Sequence, residues 1–270
     1  MKRCSIIGGH GYIGRHLGAL MLNSGWDCRL MGRGECTRFE QDLGVVYFCA
    51  GLTADFRQRP LDTVDSHVGL LHRLLSEGRF ERLIYLSSSR VYLDAPGTDE
   101  DQMLSVLSQR PDDLYKLSKL MGESLALHSR RDCTVVRVSN VVGGRLGNPD
   151  SFVYSLLKAA GSGHISLQSE PSTAKDYIHV DDVVSVLARM SEKCRFNVYN
   201  LASGRQVTHQ QWLDRICQVH GCTWSAVPGA ERQLYLPIQT HRIQNEFGFE
   251  PRAVLDIVDL TAQKMQEQTS

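Results

Sequence analysis

The sequence has no excess of charge of either sign, because 30 Lys and Arg residues balance 30 Asp and Glu residues over 270 positions. A chain without a net field is not expected to recruit nucleic acid or an anionic membrane surface. It also lacks a run of about eighteen apolar residues, and no apolar signal-peptide segment opens it. These absences favour a small-molecule partner, no nucleic acid or membrane partner, and a cytoplasmic location.

Patterns typical of metal sites and disulfide frameworks are missing as well. The 8 cysteines contain no C-x-x-C pair, and the 10 histidines form no H-E-x-x-H motif. Several cysteines lie within apolar runs, which is typical of buried thiols. We therefore predict free cysteines in a reducing compartment and no bound metal.

What the sequence does have is an alternation of short apolar strands with amphipathic helices. Strands are predicted over Arg3–Ile7, Cys28–Met31, Val45–Ala50, Leu83–Leu86 and Thr134–Val138, with helices between them at Ile13–Met21, Val64–Leu75 and, before the last strand, Leu117–Leu125. Continuous apolar runs such as Val45–Ala50 are typical of strands buried on both faces of a parallel sheet. The alternation predicts an α/β fold with a doubly wound parallel sheet.

The alternation weakens beyond Asn140, which predicts a second, smaller lobe. Chain breakers cluster there, at Gly143, Gly144, Gly147 and Pro149. A helix is predicted over Phe152–Ala160 and a strand over Asn197–Leu201. Thr208 and Gln211 have the spacing of a capping box at the start of a further helix.

A glycine-rich turn joins the first strand to its helix. Its glycines are Gly8, Gly11 and Gly14, with Tyr12 and Ile13 between the last two. Such a turn lets backbone N–H groups and the helix N-terminus approach a pyrophosphate. The spacing is G-x-x-G-x-x-G, which differs from the standard G-x-G-x-x-G fingerprint. We predict a dinucleotide site formed by these five residues together with Ala50 and Gly51 at the end of the third strand.

The end of the second strand bears on the choice of dinucleotide. An acidic residue there binds a ribose 2′-hydroxyl, whereas an arginine accommodates a 2′-phosphate. This chain has Gly32 followed by Arg33, and Arg38 lies nearby in sequence. The pattern favours NADP and leaves NAD open, since Arg33 could equally be a solvated loop residue.

Tyr115 and Lys119 are the candidate reactive pair. Being four residues apart, they project from one face of the predicted helix. A phenol with a pKa of about 10 is a poor base at neutral pH, and a nearby ammonium group favours its phenolate. Taken alone, the pair could also belong to an ordinary amphipathic helix with an exposed lysine.

Three consecutive hydroxyl groups, on Ser87, Ser88 and Ser89, end the fourth predicted strand. Ligands of open α/β sheets bind at this carboxyl edge. A serine there could hydrogen-bond a reacting oxygen and orient it toward a tyrosine hydroxyl. The residues alone do not say which of the three does so.

Six motifs together resemble the extended short-chain dehydrogenase/reductase family of nucleotide-sugar epimerases and dehydratases. They are GGHGYIG, SSSRVY, YKLSK, VVRVSNVVG, KDYIHVDDV and NVYNLASG, in the family order and nearly end to end. The resemblance implies a Rossmann domain over residues 1–143 and 176–204. It implies a small substrate-binding lobe over 144–175 and 205–270.

The resemblance also implies roles for single residues. Ser88, Tyr115 and Lys119 match the catalytic serine, tyrosine and lysine, and Tyr115 and Lys119 are expected to contact the cofactor too. Asn140 matches an asparagine that contacts a nucleotide diphosphate, and Lys175 stands where many members have an arginine. Ser88 is expected to contact the substrate. Family members commonly form homodimers through helices that correspond here to about Asp62–Glu77 and Asp112–His128.

Three departures from the family pattern matter for function. The segment between Arg33 and Val45 is short for the family's third strand and its helix, so a reduced adenine pocket is expected. His67 stands in place of a structural asparagine. Ser89 and Arg90 stand where a dehydratase carries an Asp-Glu pair, which disfavours 4,6-dehydration.

The function predicted is that of an NAD(P)-dependent nucleotide-sugar epimerase or reductase, with Tyr115 as the acid/base. Two alternatives stay open from the sequence. One is a reductase of a non-nucleotide carbonyl compound, and the other is a non-catalytic NAD(P)-binding sensor with the same fold.

Overall fold

A computed structural model describes residues 1–32, 34–36, 39, 41–53, 55–144, 148, 151–192 and 194–259. The strands are β1 (Arg3–Ile7), β2 (Asp27–Met31), β3 (Val45–Phe48), β4 (Arg82–Ser88), β5 (Cys133–Val138), β6 (Asn140–Val142), β7 (His164–Leu167), β8 (Ala174–His179), β9 (Val198–Leu201), β10 (Gln206–Thr208) and β11 (Thr223–Ala226). The helices are α1 (Tyr12–Asn23), α2 (Pro60–Val64), α3 (Leu70–Glu77), α4 (Asp113–His128), α5 (Phe152–Ala160), α6 (Val180–Arg189), α7 (His209–His220) and α8 (His241–Phe247). A π-helical turn over Asp65–Gly69 joins α2 to α3, and a 3₁₀ turn over Ser89–Tyr92 follows β4.

Six parallel strands form the central sheet, in the order β2-β1-β3-β4-β5-β9. Helices α1 and α6 bury Leu17 and Leu187 against one face of this sheet. Helices α3 and α4 bury Leu71 and Ala126 against the other face. The predicted doubly wound parallel sheet is therefore confirmed, and strands with apolar side chains on both faces occur because both faces are covered.

The sheet ends at β2 within the part of the chain that is described. The described residues between Met31 and Val45 form turns and a single bridge from Asp42 to Arg79. This agrees with the expectation that the segment is too short for another strand and helix. The predicted strand Val45–Ala50 ends earlier, at Phe48, so Ala50 and Gly51 lie in the loop at the sheet edge.

A second group of elements packs beside the sheet. Strand β8 pairs with β6 in parallel and with β10 in antiparallel, and β7 pairs with β11. Helix α5 has the predicted bounds, and α7 begins with the predicted capping box: Thr208 Oγ1 accepts from the Gln211 N–H at 3.0 Å. Trp212 and Ile165 are buried in its core. The boundaries at residues 143, 176 and 204 stay a prediction.

All eight cysteine thiols are free in the structure, and four of them are buried. Among the described helices, none combines the length and the apolar character that crossing a bilayer requires.

Candidate active site

A cleft of about 880 Å³ opens at the carboxyl ends of β1, β3, β4 and β5. Most of the predicted site residues line it: Gly11, Tyr12, Ile13, Gly14, Ala50, Gly51, Ser88, Tyr115, Lys119, Asn140 and Lys175. Gly8 lies next to the cleft, where it packs against the backbone of Ala50. Arg33 and Arg38 lie outside the described residues, so the structure gives no account of them.

The glycine turn has the close packing that a pyrophosphate cradle needs. A Cβ on Gly14 would lie 2.4 Å from the Gly8 carbonyl oxygen, and Gly8 itself has a φ of +80°. Helix α1 begins at Tyr12 with no acidic side chain in its first turn. The first N–H groups of such a helix have no intrahelical partners, and this turn lines the cleft. These residues fit a dinucleotide pyrophosphate.

The loop after β3 closes this part of the cleft. A Cβ on Gly8 would lie 2.7 Å from the Ala50 nitrogen, so the two backbone segments touch. A Cβ on Gly51 would lie 2.8 Å from the Nε2 atom of His67 and 3.3 Å from Lys119 Nζ. Only glycine at position 51 lets this loop run so close to the reactive lysine.

Glu35 brings a carboxylate to the end of β2, which the sequence analysis did not foresee. Its Oε2 atom accepts a hydrogen bond from the Gly32 N–H at 2.7 Å and lies 3.5 Å from His10 Nε2. These contacts lower the pKa of Glu35, with the Gly32 hydrogen bond as the largest cause. An ionised carboxylate therefore stands beside the position where a ribose 2′-substituent is recognised.

Helix α4 places Tyr115 and Lys119 at the base of the cleft, both buried. Lys119 Nζ donates to the carbonyl of Leu86, the residue before the serine run, at 3.0 Å. Burial lowers the pKa of Lys119 to about 8, while the nearby Glu123 carboxylate raises it. Burial raises the pKa of Tyr115, and a contact with the Ser88 hydroxyl lowers it.

Ser87 and Ser88, the two serines of the run that belong to β4, are distinguished by their hydrogen-bond partners. Ser87 is buried, and its hydroxyl donates to Glu123 Oε1 at 2.5 Å. Ser88 caps the following 3₁₀ turn by accepting from the Arg90 N–H at 3.2 Å, and its hydroxyl reaches Tyr115. Of the two, Ser88 is therefore the one whose hydroxyl faces the reactive tyrosine.

Arg90 is a residue of this site that the sequence analysis missed. Its guanidinium carbon lies 5.0 Å from the centre of the Tyr115 ring, and its charge lowers the pKa of that tyrosine. The sequence analysis expected this lowering of the tyrosine pKa to come from the ammonium group of Lys119. The available signal was position, because Arg90 follows Ser88 by two residues at the edge of the sheet where ligands bind.

His67 joins the loop after β3 to helix α4. Its Nε2 atom accepts from the Leu52 N–H at 3.2 Å, so Nδ1 carries the proton and donates to Ser118 Oγ at 2.8 Å. Ser118 in turn donates to the Tyr115 carbonyl at 2.9 Å. Burial and the Lys119 charge lower the pKa of His67 to about 2, so the ring is neutral. This histidine thus links the loop after β3 to α4.

Strands β6 and β8 form another wall of the cleft. The Asn140 amide donates to the Asp176 carbonyl at 2.8 Å. Lys175 Nζ lies 4.9 Å from the centre of the Tyr235 ring and 6.0 Å from that of Phe152. Burial lowers the pKa of Lys175 to about 8. A second cavity of about 500 Å³ shares Phe152 and Lys175 with the first and extends toward α7.

Comparison with known proteins agrees with this geometry. The model of the NAD dependent epimerase/dehydratase family matches residues 4–202. A dTDP-4-dehydro-6-deoxy-D-allose reductase of Streptomyces bikiniensis is 29% identical over 192 residues, which cover 65% of this chain and 59% of that protein. The match therefore spans about three fifths of the relative's length.

Two solved structures illustrate the shared fold. MoeE5 in complex with UDP-glucose and NAD has a TM-score of 0.81 at 21% identity, covering 99% of this chain and 100% of that one. RMD from Pseudomonas aeruginosa, complexed with NADPH, has a TM-score of 0.75 at 20% identity, covering 98% and 99%. At these identities the likeness shows the fold.

The chain thus has the architecture of a Rossmann-type dinucleotide-binding protein. Within that class it belongs to the NAD-dependent epimerase/dehydratase family, of the extended short-chain dehydrogenase/reductase type. The family that the six motifs predicted is therefore confirmed.

Proposed function

We propose that this protein is an NAD(P)-dependent oxidoreductase of nucleotide-linked sugars, acting as a reductase of a keto group. The observation that carries the proposal is the convergence of Ser88, Tyr115 and Lys119 beside the glycine turn in one cleft. A sensor that only bound the cofactor would have no use for a serine hydroxyl against a buried tyrosine.

Tyr115 is the proposed proton donor. Because burial raises the pKa of Tyr115, its phenol is protonated at neutral pH and can transfer that proton to a keto oxygen. Ser88 would donate a hydrogen bond to the same oxygen and hold it in place. When bound, the nicotinamide would supply the hydride that converts the carbonyl carbon to a carbinol.

The protonated phenol supports the proposal of a reductase over that of an epimerase. A reductase starts with a keto group that needs a proton, whereas an epimerase first removes a proton from a hydroxyl group. The raised pKa of Tyr115 favours the first. The names of the curated relatives, which include dTDP-sugar reductases, also support a reductase.

The nucleotide end of the substrate is proposed to lie toward the second cavity. Lys175 lines both cavities and would offer a cation to a diphosphate, while Asn140 lines the first cavity. The second cavity is lined by the rings of Phe152 and His209, which stack with centres 4.2 Å apart. A planar base could pack against such rings.

The function is tested by incubating the protein with NADPH or NADH and a panel of nucleotide-linked keto-sugars. We expect loss of absorbance at the nicotinamide band and a sugar product with one new hydroxyl group. Appearance of a C-epimer by NMR without net cofactor oxidation would instead identify an epimerase. If no sugar reacts with either cofactor and no epimer forms, the proposed function is wrong.

Arg33 and Glu35 are proposed to set the cofactor preference together. Arg33 would pair with a 2′-phosphate and favour NADP, while the Glu35 carboxylate beside Gly32 would oppose that phosphate. We expect Arg33→Ala to weaken NADPH binding about tenfold more than NADH binding. We expect Glu35→Gln to strengthen NADPH binding about fivefold relative to NADH.

Fluorescence titration of both variants with both cofactors measures these changes. Glu231→Gln, which removes a carboxylate outside the glycine turn, is the matched control and should leave the ratio of the two affinities unchanged. Equal effects of Arg33→Ala on NADPH and NADH would contradict the proposed role of Arg33.

We further propose that the protein forms a homodimer through α2, α3 and α4. Leu61, Val64 and Met121 on these helices are exposed by 84%, 40% and 54%, so an apolar surface is available for a second copy. Size-exclusion chromatography with light scattering measures the mass in solution.

A further inference from the structure

The cleft holds a guanidinium group for which the described residues supply no carboxylate partner. Arg90 stacks over two aromatic rings, with its guanidinium carbon 5.0 Å from the centre of Tyr115 and 5.4 Å from that of Phe56. The neighbouring Arg57 also contacts the Phe56 ring, but its Nη2 atom donates to Asp112 Oδ2 at 2.8 Å. Arg57 is thus held in an ion pair by Asp112. The charge of Arg90 also acts on Asp112 from a longer distance, but no described carboxylate forms an ion pair with Arg90.

The position of Arg90 is central to the cleft. Its charge acts on Tyr115 from α4, on Lys175 from β8 and on Tyr235 from the loop after β11, lowering the pKa of each. These groups belong to different walls of the cleft. Arg90 lines the cleft together with these three residues, and its guanidinium lies over the Tyr115 ring.

The two described carboxylates in the cleft lining are already engaged. Asp94 pairs with Arg110, and Asp176 accepts from the Ser203 N–H and hydroxyl, each at 3.0 Å. Neither can neutralise Arg90 without giving up its present partner. The cleft therefore carries positive charge that a bound molecule can compensate.

A guanidinium stacked on rings is oriented by them and leaves its N–H edge free. That edge presents two parallel donors, which match the two oxygens of a carboxylate. We propose, building on the oxidoreductase function above, that Arg90 binds a carboxylate group on the sugar ring, so that the substrate is a nucleotide-linked acidic sugar. A carboxylate attached next to the reacting carbon would lie beside Tyr115, where Arg90 is found. The diphosphate is farther along the substrate, toward Lys175.

The test measures binding and does not depend on turnover. The nucleotide is the one of UDP, dTDP and GDP that raises the Tm most. Isothermal titration of the cofactor-loaded protein then compares three ligands: the free nucleoside diphosphate, its neutral hexose conjugate and its hexuronic acid conjugate. The measured quantity is the ratio of the affinities for the acidic and the neutral conjugate.

We expect the wild-type protein to prefer the acidic conjugate, and Arg90→Gln to reduce this preference at least about tenfold. Arg90→Lys should retain part of it, because the charge stays while the paired donors are lost. Arg59→Gln is the matched control, since Arg59 pairs with Asp62 and does not line the cleft, and the preference should stay within about twofold.

Three results would overturn the assignment. If Arg90→Gln weakens binding of the free nucleoside diphosphate as much as binding of the acidic conjugate, Arg90 contacts the diphosphate. If Arg90→Gln weakens binding of the neutral and acidic conjugates equally, Arg90 does not recognise a carboxylate and only packs against the rings of Tyr115 and Phe56. If the wild-type protein binds none of the nucleotides or conjugates, the proposed function itself is wrong and the assignment falls with it.

Discussion

Tyr115→Phe is expected to lower kcat about a hundredfold to ten-thousandfold and to leave cofactor binding nearly unchanged. The substitution removes one hydroxyl group, and with it the proton that the keto oxygen must receive. The ring itself remains, so its contacts with His67 and Phe56, whose ring centres each lie 5.3 Å away, are retained. The loss should therefore appear in the chemical step.

Steady-state kinetics and cofactor titration on the same preparation separate these effects. A loss of kcat with little change in the cofactor Kd is the expected pattern. Tyr154→Phe is the matched control, because that tyrosine is partly exposed on α5 and does not line the cleft. It should leave kcat unchanged. Turnover by Tyr115→Phe at the wild-type rate would remove Tyr115 from the mechanism.

The parts of this site that could be predicted are those encoded by neighbours in the sequence. Gly8, Gly11 and Gly14 lie within one turn, and the strand and helix around them have the periodicity of an amphipathic βα unit. Tyr115 and Lys119 share a helix face because they are four residues apart. A sheet edge also follows from the ends of consecutive parallel strands, which is why Ser88 could be placed near the phenol.

The parts that could not be predicted depend on how distant segments fold back. Glu35 lies beyond the end of β2, and only its hydrogen bond to Gly32 returns the carboxylate to the cofactor edge. His67 lies in a π-helical turn, whose wider winding the apolar pattern of α2 and α3 does not reveal. Arg90 is held in the cleft partly by its contact with the ring of Phe56, which lies on another loop.

The serine run shows a third case, in which the residues alone gave three candidates and only the family resemblance selected Ser88. Ser87 and Ser88 are neighbours on a strand, so their side chains point to opposite faces of the sheet. The sequence does not say which face holds Glu123. Once Glu123 accepts from Ser87, the next hydroxyl is left on the side of the cleft. This choice is therefore made by tertiary packing.

Arg137→Met is expected to destabilise the protein by about 3–5 kcal/mol, the largest loss of stability among the changes considered. Arg137 and Glu123 form a buried ion pair behind the cleft, with Nη2 and Oε2 2.7 Å apart and side-chain exposures of 6% and 5%. Arg137 also donates to Tyr92 Oη at 2.8 Å and to the Glu100 carbonyl at 3.1 Å. Its removal leaves the buried Glu123 carboxylate without its ion-pair partner.

Urea unfolding followed by circular dichroism measures this loss, with the m-value checked for each variant. Arg3→Met is the matched control, because Arg3 pairs with Asp27 on the surface, where such pairs contribute about 0–1 kcal/mol. A loss below about 1 kcal/mol for Arg137→Met would show that Glu123 finds another partner or becomes protonated at little cost.

The double variant Glu123→Met/Arg137→Met separates stability from function. Removing both charges should recover most of the lost stability, because no uncompensated carboxylate remains. It should not recover activity, since Glu123 raises the pKa of Lys119 and holds the hydroxyl of Ser87. Without Glu123 the pKa of Lys119 falls below its present value of about 8, and less of the ammonium form is present at neutral pH. A double variant with restored stability and wild-type kcat would show that Lys119 does not need its charge.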